Sequence, residues 1–220
     1  MKEHNTMVSP SLLAADMLHL EQEIRMINES EADMLHFDVM DGSFVPNISF
    51  GFPVLEAISK VLTKPMDVHF MTVNPEDYIE RTARLGARFM NVHVEACKKH
   101  TAEVLRRIHH TGMKAAVTIS PDTPVSAVKP YLDNVDMVLV MGVYPGFGGQ
   151  KFIEKTVERV HELRQMIDER GINVLIEVDG GVQGETAPRL VTAGCDVLVS
   201  GSYVFRADDP KAVISSLKSL

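Results

Sequence analysis

Short runs of β-branched and other apolar residues recur along the chain, and each is followed by a stretch with helical spacing. The runs predict strands at residues 7–12, 34–39, 66–70, 89–94, 114–119, 137–141, 173–178 and 197–201. Between them, residues 18–28 place Leu20, Ile24 and Ile27 on one side, and residues 153–170 do the same with Val157, Val160, Leu163 and Ile167. Gly86, Gly112 and Gly194 fall where a helix should stop, and Pro75, Pro124 and Pro210 where one should start, since proline lacks only an N–H that has no partner there. No linker, low-complexity tract or charge block interrupts the alternation. About eight strand–helix units in 220 residues predict a single closed (β/α)8 barrel over residues 1–220, an α/β fold. An open, doubly wound sheet is the alternative, but SPSLLAAD after the first strand lacks the glycine fingerprint such sheets carry.

Polar residues break the apolar pattern in a few places. In MLHFDVMDG, His36 and Asp38 sit two apart in a strand, so both side chains leave it on the same face. A barrel collects its chemistry at the C-terminal ends of its strands. Ser9 and Ser11 lie on the first predicted strand, His69 near the end of the third, Asp179 at the close of the seventh, and Gly201-Ser202 after the eighth. Two imidazoles and two carboxylates converging from three strands make a divalent-metal site, with zinc, ferrous iron, manganese and cobalt all suited to that donor set. A lone strand histidine is more commonly a hydrogen-bonded core residue. His4, His19, His93, His100, His109, His110 and His161 lack such company and read as surface or packing residues. Gly146-Phe147-Gly148-Gly149, Gly180-Gly181 and Gly201-Ser202 supply three turns at the same rim, whose backbone N–H groups can approach a phosphate without any lysine or arginine.

Composition narrows the partners. Hydrophobic residues make up 45% and charged residues 24%, ordinary for a globular protein. A formal net charge of -8 disfavours nucleic acid and anionic membranes, so an anionic substrate needs a local site. No apolar run is long enough to span a bilayer, and MKEHNTMVSP has no signal-peptide core. Cys97 and Cys195 form no paired motif, which together with the missing signal suggests a reducing, cytoplasmic setting.

The stretches SPSLLAAD, LHFDVMDGSFVPN, DVHFM, NPEDYI, NVHVEA, PGFGGQKF, IEVDGGV and SGSYVF, in this order from Ser9 to Phe205, resemble the ribulose-phosphate 3-epimerase family. The resemblance implies a TIM barrel, an isomerase of carbohydrate metabolism, and one divalent metal held by His36, Asp38, His69 and Asp179. It gives Asp38 and Asp179 a second role as paired acid and base, and implies a homo-oligomer, as family relatives form dimers and hexamers. It further implies substrate contacts from Ser9, His69 and the glycine turns, with Met40, Met71 and Met141 lining the pocket around the reacting carbons. Inverting a carbon beside a ketone needs a proton carrier on each face and a means of holding enediolate charge, so two aspartates beside a cation make chemical sense.

The chain departs from the family pattern at Gly142 and Tyr144 after strand six and at Ser120 after strand five. These touch no ligand or base but bear on the sugar. D-ribulose 5-phosphate and D-xylulose 5-phosphate, the pair of the pentose phosphate pathway, are the first expectation, and D-allulose 6-phosphate the alternative. A barrel that senses sugar phosphate without catalysis is disfavoured by the intact acid–base pair. A metal-free decarboxylase barrel is disfavoured because no lysine lies in MLHFDVMDG or IEVDGG.

Overall fold

The computed structural model describes residues 5–220; His4 lies outside the described residues. Among these residues, eight strands run β1 (Met7–Pro10), β2 (Leu35–Met40), β3 (Met66–Met71), β4 (Phe89–His93), β5 (Lys114–Ile119), β6 (Met137–Met141), β7 (Leu175–Asp179) and β8 (Val197–Ser200). The helices are α1 (Leu20–Glu29), α2 (Phe52–Ile58), α3 (Ile79–Arg84), α4 (Val94–Cys97), α5 (Thr101–His110), α6 (Lys155–Arg170), α7 (Ala187–Thr192), α8 (Ser202–Phe205) and α9 (Pro210–Lys218). All strand pairs are parallel, in the order β1-β8-β7-β6-β5-β4-β3-β2. A bridge between Ser11 and His36 joins the two ends of that order, which makes the sheet a TIM barrel.

The strands read as near-continuous apolar runs because both of their faces are covered. Val8, Phe37, Val68, Val92, Val117, Val138, Ile176 and Leu198 belong to the large core shared with the helices, including Ile24 and Ile27 of α1 and Val160, Leu163 and Ile167 of α6. The alternate residues turn into the barrel. Met34, Phe89, Ala116, Met137 and Val197, with Met7 and Leu175 against them, plug its base. Above that plug the interior turns polar, and Ser9, His36, Asp67, His69, Asn91, Thr118 and Glu177 are all buried.

The predicted elements are present with shifted ends. β1 stops at Pro10, because residues 12–14 turn into a 3-10 helix. Residues 17–19 form a 3-10 turn in which the Asp16 carboxylate accepts from the Leu18 N–H, so α1 begins at Leu20. β7 spans Leu175–Asp179, later than the predicted start at 173. After β5 the crossover consists of two 3-10 turns, Val125–Val128 and Leu132–Asn134, in place of an α-helix. Gly86, Gly112 and Gly194 follow α3, α5 and α7 with positive φ, as stop signals should. Among the described residues, no helix is long and apolar enough to cross a membrane.

Candidate active site

β2 and β3 end as neighbours at one rim of the barrel, and β7 ends at the same rim across from them. The two-residue period of β2 turns His36 and Asp38 inward together, and the β2–β3 register sets Asp38 opposite His69. Asp179 closes β7 opposite Met141 of β6. The donor atoms of His36, Asp38, His69 and Asp179 all lie within 4.8 Å of one another. Asp38 Oδ1 is 3.1 Å from His69 Nδ1 and 3.3 Å from His36 Nε2, and Asp179 Oδ2 is 4.0 Å from each of those nitrogens.

Neighbours fix how each ring faces the cluster. His36 Nδ1 lies 2.6 Å from Asp67 Oδ2, and Asp67 Oδ1 accepts from Asn91 Nδ2 at 2.5 Å. The ring therefore presents Nε2 to the cluster, as carboxylate-backed metal ligands do. His69 Nε2 meets His93 Nε2 at 2.9 Å, leaving Nδ1 for the cluster. The Ser11 hydroxyl donates to Asp38 Oδ2 at 2.7 Å.

The electrostatics of the four groups diverge. Burial works against a charged His36, but the carboxylates of Asp38 and Asp67 outweigh it and hold the imidazole well above its ordinary pKa. Burial likewise opposes an ionised Asp38, yet the two imidazoles prevail and keep it well below the usual carboxylate range. Asp179 goes the other way: burial, then the charge of Asp38, pushes it up to about 7. Below the cluster, burial and Asp67 raise Glu177 well above an ordinary carboxyl.

This donor set fits a divalent cation. His36 Nε2 is fully buried with no hydrogen-bond partner, although a buried nitrogen normally has one. It faces two carboxylates and a second imidazole nitrogen, and two nitrogen and two oxygen donors at this spacing match the ligands of zinc, ferrous iron, manganese or cobalt.

A cavity of about 280 Å³ opens above the cluster. Asp38 and Asp179 reach its wall together with Met40, Met71 and Met141, three buried thioethers that make this part of the wall apolar. Gly146, Phe147, Gly148, Gly149, Gly180, Gly181, Gly201 and Ser202 line it as well, so the three glycine turns converge on one cavity. His36 and His69 sit behind the aspartates, fully buried and off the wall.

Ser9 needs a correction. Its hydroxyl is buried lower in the barrel without a partner, and Ser11, one inward step closer to the rim, lines the cavity instead. Arg206, which follows α8, also lines the cavity with Gly201 and Ser202, so the cavity has a cation that the turns alone did not call for. The sequence signal was the arginine that directly follows SGSYVF.

The three departures differ in kind, and one of them does touch a cluster residue, contrary to the sequence expectation, because Gly142 hydrogen-bonds the backbone of Asp179. A Cβ at Gly142 would lie 2.2 Å from the Gly180 carbonyl oxygen, because Gly142 N–H donates to Asp179 O at 2.6 Å and draws the ends of β6 and β7 together. Tyr144 lines the cavity, and its hydroxyl donates to Asp122 Oδ1 at 2.9 Å. Ser120 is off the wall; its N–H donates to Glu95 and its carbonyl accepts from Arg159. His19 and His109 pair with Asp16 and Asp136 at the surface, and both cysteines are buried and free.

The profile of the ribulose-phosphate 3 epimerase family matches residues 7–205. Ribulose-phosphate 3-epimerase of Bacillus subtilis is 45% identical over 212 residues, covering 96% of this chain and 97% of that protein. The Synechocystis ribulose-phosphate 3-epimerase is 41% identical over 98% of this chain and 94% of its own length. Among solved structures, Mycobacterium tuberculosis tryptophan synthase superposes with a TM-score of 0.71 at 12% identity, over 98% of this chain and 92% of that one. Orotidine 5'-phosphate decarboxylase from Pyrococcus horikoshii does so with a TM-score of 0.68 at 12% identity, over 97% and 98%. At that identity these two report the barrel alone.

Proposed function

The chain belongs to the ribulose-phosphate 3-epimerase family, and on that premise we propose that this isomerase interconverts D-ribulose 5-phosphate and D-xylulose 5-phosphate by proton transfer at carbon 3 between two aspartates. The observation that carries the reading is the pair of carboxylates, Asp38 of β2 and Asp179 of β7, that reach one cavity from different strands beside two imidazoles. Without a cation their proton affinities already differ, since the imidazoles keep Asp38 ionised while burial and Asp38 push Asp179 up to about 7. Asp38 takes the carbon-3 proton in one direction while Asp179 returns one to the opposite face, and the roles exchange in reverse. The Ser11 hydroxyl holds the Asp38 carboxylate by one oxygen and so fixes the direction of the other.

His36 Nε2, His69 Nδ1, Asp38 and Asp179 would hold one divalent cation. Such an ion supplies Lewis-acid stabilisation of the enediolate charge. The three methionines keep water from the reacting carbons. Backbone N–H groups of the glycine turns, with Arg206, receive the phosphate.

The test is exchange of the carbon-3 proton with solvent deuterium, alongside kcat/KM on D-ribulose 5-phosphate and D-allulose 6-phosphate. Exchange is expected, with the pentulose the faster substrate; a faster hexulose would move the assignment to that sugar. Asp38→Asn and Asp179→Asn should each lower kcat by roughly 10²–10⁴ while the fold persists. Near-normal turnover by either variant would remove the two-carboxylate scheme.

A further inference from the structure

His93 closes β4 with its ring fully buried, and its two nitrogens have different neighbours. Nε2 faces His69 Nε2 at 2.9 Å, and Nδ1 faces Glu95 Oε2 at 3.1 Å. The ring centroids of His69 and His93 are 5.0 Å apart with planes 25° from parallel, so the rings meet edge to edge, nitrogen against nitrogen. Phe44 packs on the His93 ring at 4.7 Å between centroids and holds it in place.

Glu95 is anchored in turn. Its Oε1 accepts from the Ser120 N–H at 2.8 Å and from the Thr123 hydroxyl. Arg159 ties down the same loop by donating to the carbonyls of Ser120 at 2.8 Å and Thr123 at 3.1 Å. The carboxylate can therefore turn only Oε2, an acceptor, toward His93.

We propose that His93 and Glu95 form a positioning dyad that dictates which nitrogen of His69 carries the proton. The proposal rests on the reading that His69 Nδ1 belongs to a cation's ligand set. A ring bound through Nδ1 keeps its proton on Nε2 and must find an acceptor there. His93 can accept at Nε2 only while its own proton sits on Nδ1, and Nδ1–H is the state that the Glu95 carboxylate selects. The chain of donors runs from His69 through His93 to Glu95, and neither His93 nor Glu95 touches the substrate cavity. They act through His69, as partners behind a ligand do.

Glu95→Gln separates this role from mere packing, because it keeps shape and removes one acceptor. The new amide keeps its oxygen on the Ser120 N–H and turns its NH2 toward His93 Nδ1, so two donors meet. A flipped amide would keep an acceptor on His93 Nδ1 but set its NH2 against the Ser120 N–H, so the unflipped amide is favoured, and there His93 loses the acceptor that holds its proton on Nδ1.

Zinc affinity is read by competition with a chromophoric chelator, and proton positions by 15N spectra of the histidine rings in the zinc-loaded protein. The wild type should show His69 protonated at Nε2 and His93 at Nδ1. E95Q should bind zinc roughly 10–100-fold more weakly with an unchanged circular dichroism spectrum. His93→Gln, whose amide oxygen can accept from His69 while its NH2 donates to Glu95, should retain most of the affinity, and His93→Phe should lose it. This pair decides the matter should E95Q not fold. Wild-type affinity in both E95Q and H93F would overturn the dyad alone. A wild-type protein that takes up no zinc, ferrous iron, manganese or cobalt would sink the ligand-set reading and the dyad with it.

Discussion

Asp38 and Asp179 are the same residue type at the same rim, and their surroundings give them opposite characters. Asp38 is the anion that the buried imidazoles lean on, whereas Asp179 is the carboxyl that burial and Asp38 keep protonated. In chelator-treated protein at pH 8, Asp179→Asn should therefore raise the melting temperature by relieving a crowded charge. Asp38→Asn should lower it by leaving His36 and His69 without their partner. Equal shifts in a thermal melt would contradict this. Cation uptake must also displace protons. Below about pH 7 both Asp179 and His36 give one up, and above it only His36, whose pKa is raised by its carboxylates. Affinity should rise with pH, more steeply below 7 than above, in chelator competition run across that range. His36 and Asp38 could be picked out in the sequence because alternation alone turns them the same way. His93 could not, since its partner Glu95 sits in α4, beyond the end of the strand, where the two-residue period no longer applies.

The turns at the strand ends impose their own requirements. Gly180 has φ +108, and a Cβ there would lie 2.4 Å from Val143 Cγ2 and 2.9 Å from Val143 N. Gly180→Ala should therefore push the β7 turn outward at a cost of about 1–3 kcal/mol. Because that turn lines the cavity, KM for the sugar phosphate should rise more than kcat falls, as steady-state kinetics would show. The glycines of this turn and of GFGG stood out in the sequence as conformationally free residues at strand ends. Gly142 stood out only as a departure, and the reason for it, the approach of the Gly180 carbonyl, belongs to the packing of β6 against β7. The fifth crossover shows the limit of periodicity. Residues 125–134 hold Val125, Val128 and Leu132 in the core through 3-10 turns, which satisfy burial without a full α-helix.

The whole barrel is sealed below by apolar side chains and carries charge in the layer above them. Glu177 Oε1 and Oε2, His36 Nε2 and the Ser9 hydroxyl are buried without hydrogen-bond partners. Unpartnered polar groups of this kind destabilise a fold, and crowded carboxylates add repulsion. A cation held by the four-residue cluster would offset the part that cluster contributes, so metal and folding should be linked. At a hundredfold excess over Kd, a bound ion stabilises by about 2.7 kcal/mol. For a chain of this size that corresponds to a melting temperature roughly 5–10 °C higher. Scanning calorimetry with zinc and with chelator should show the difference, and coincident melts would deny the coupling.

The sequence by itself determined the repeating strand–helix order, the HxD pair and the glycine turns, which follow from local rules: hydrophobic period, residue parity within a strand, and the steric freedom of glycine. The closed barrel was expected from the number of strand–helix units, and His69 and Asp179 joined the cluster through their strand-end positions and the family resemblance. Only the tertiary structure decided which inward residues share a level. Ser9 and Ser11 have the same parity, yet Ser11 reaches Asp38 and the cavity while Ser9 does not. The same is true of Asp67 under His36 and of His93 beside His69. Height in a barrel is set by how far each tilted strand is staggered against its neighbour, a property of the closed sheet that no single strand encodes.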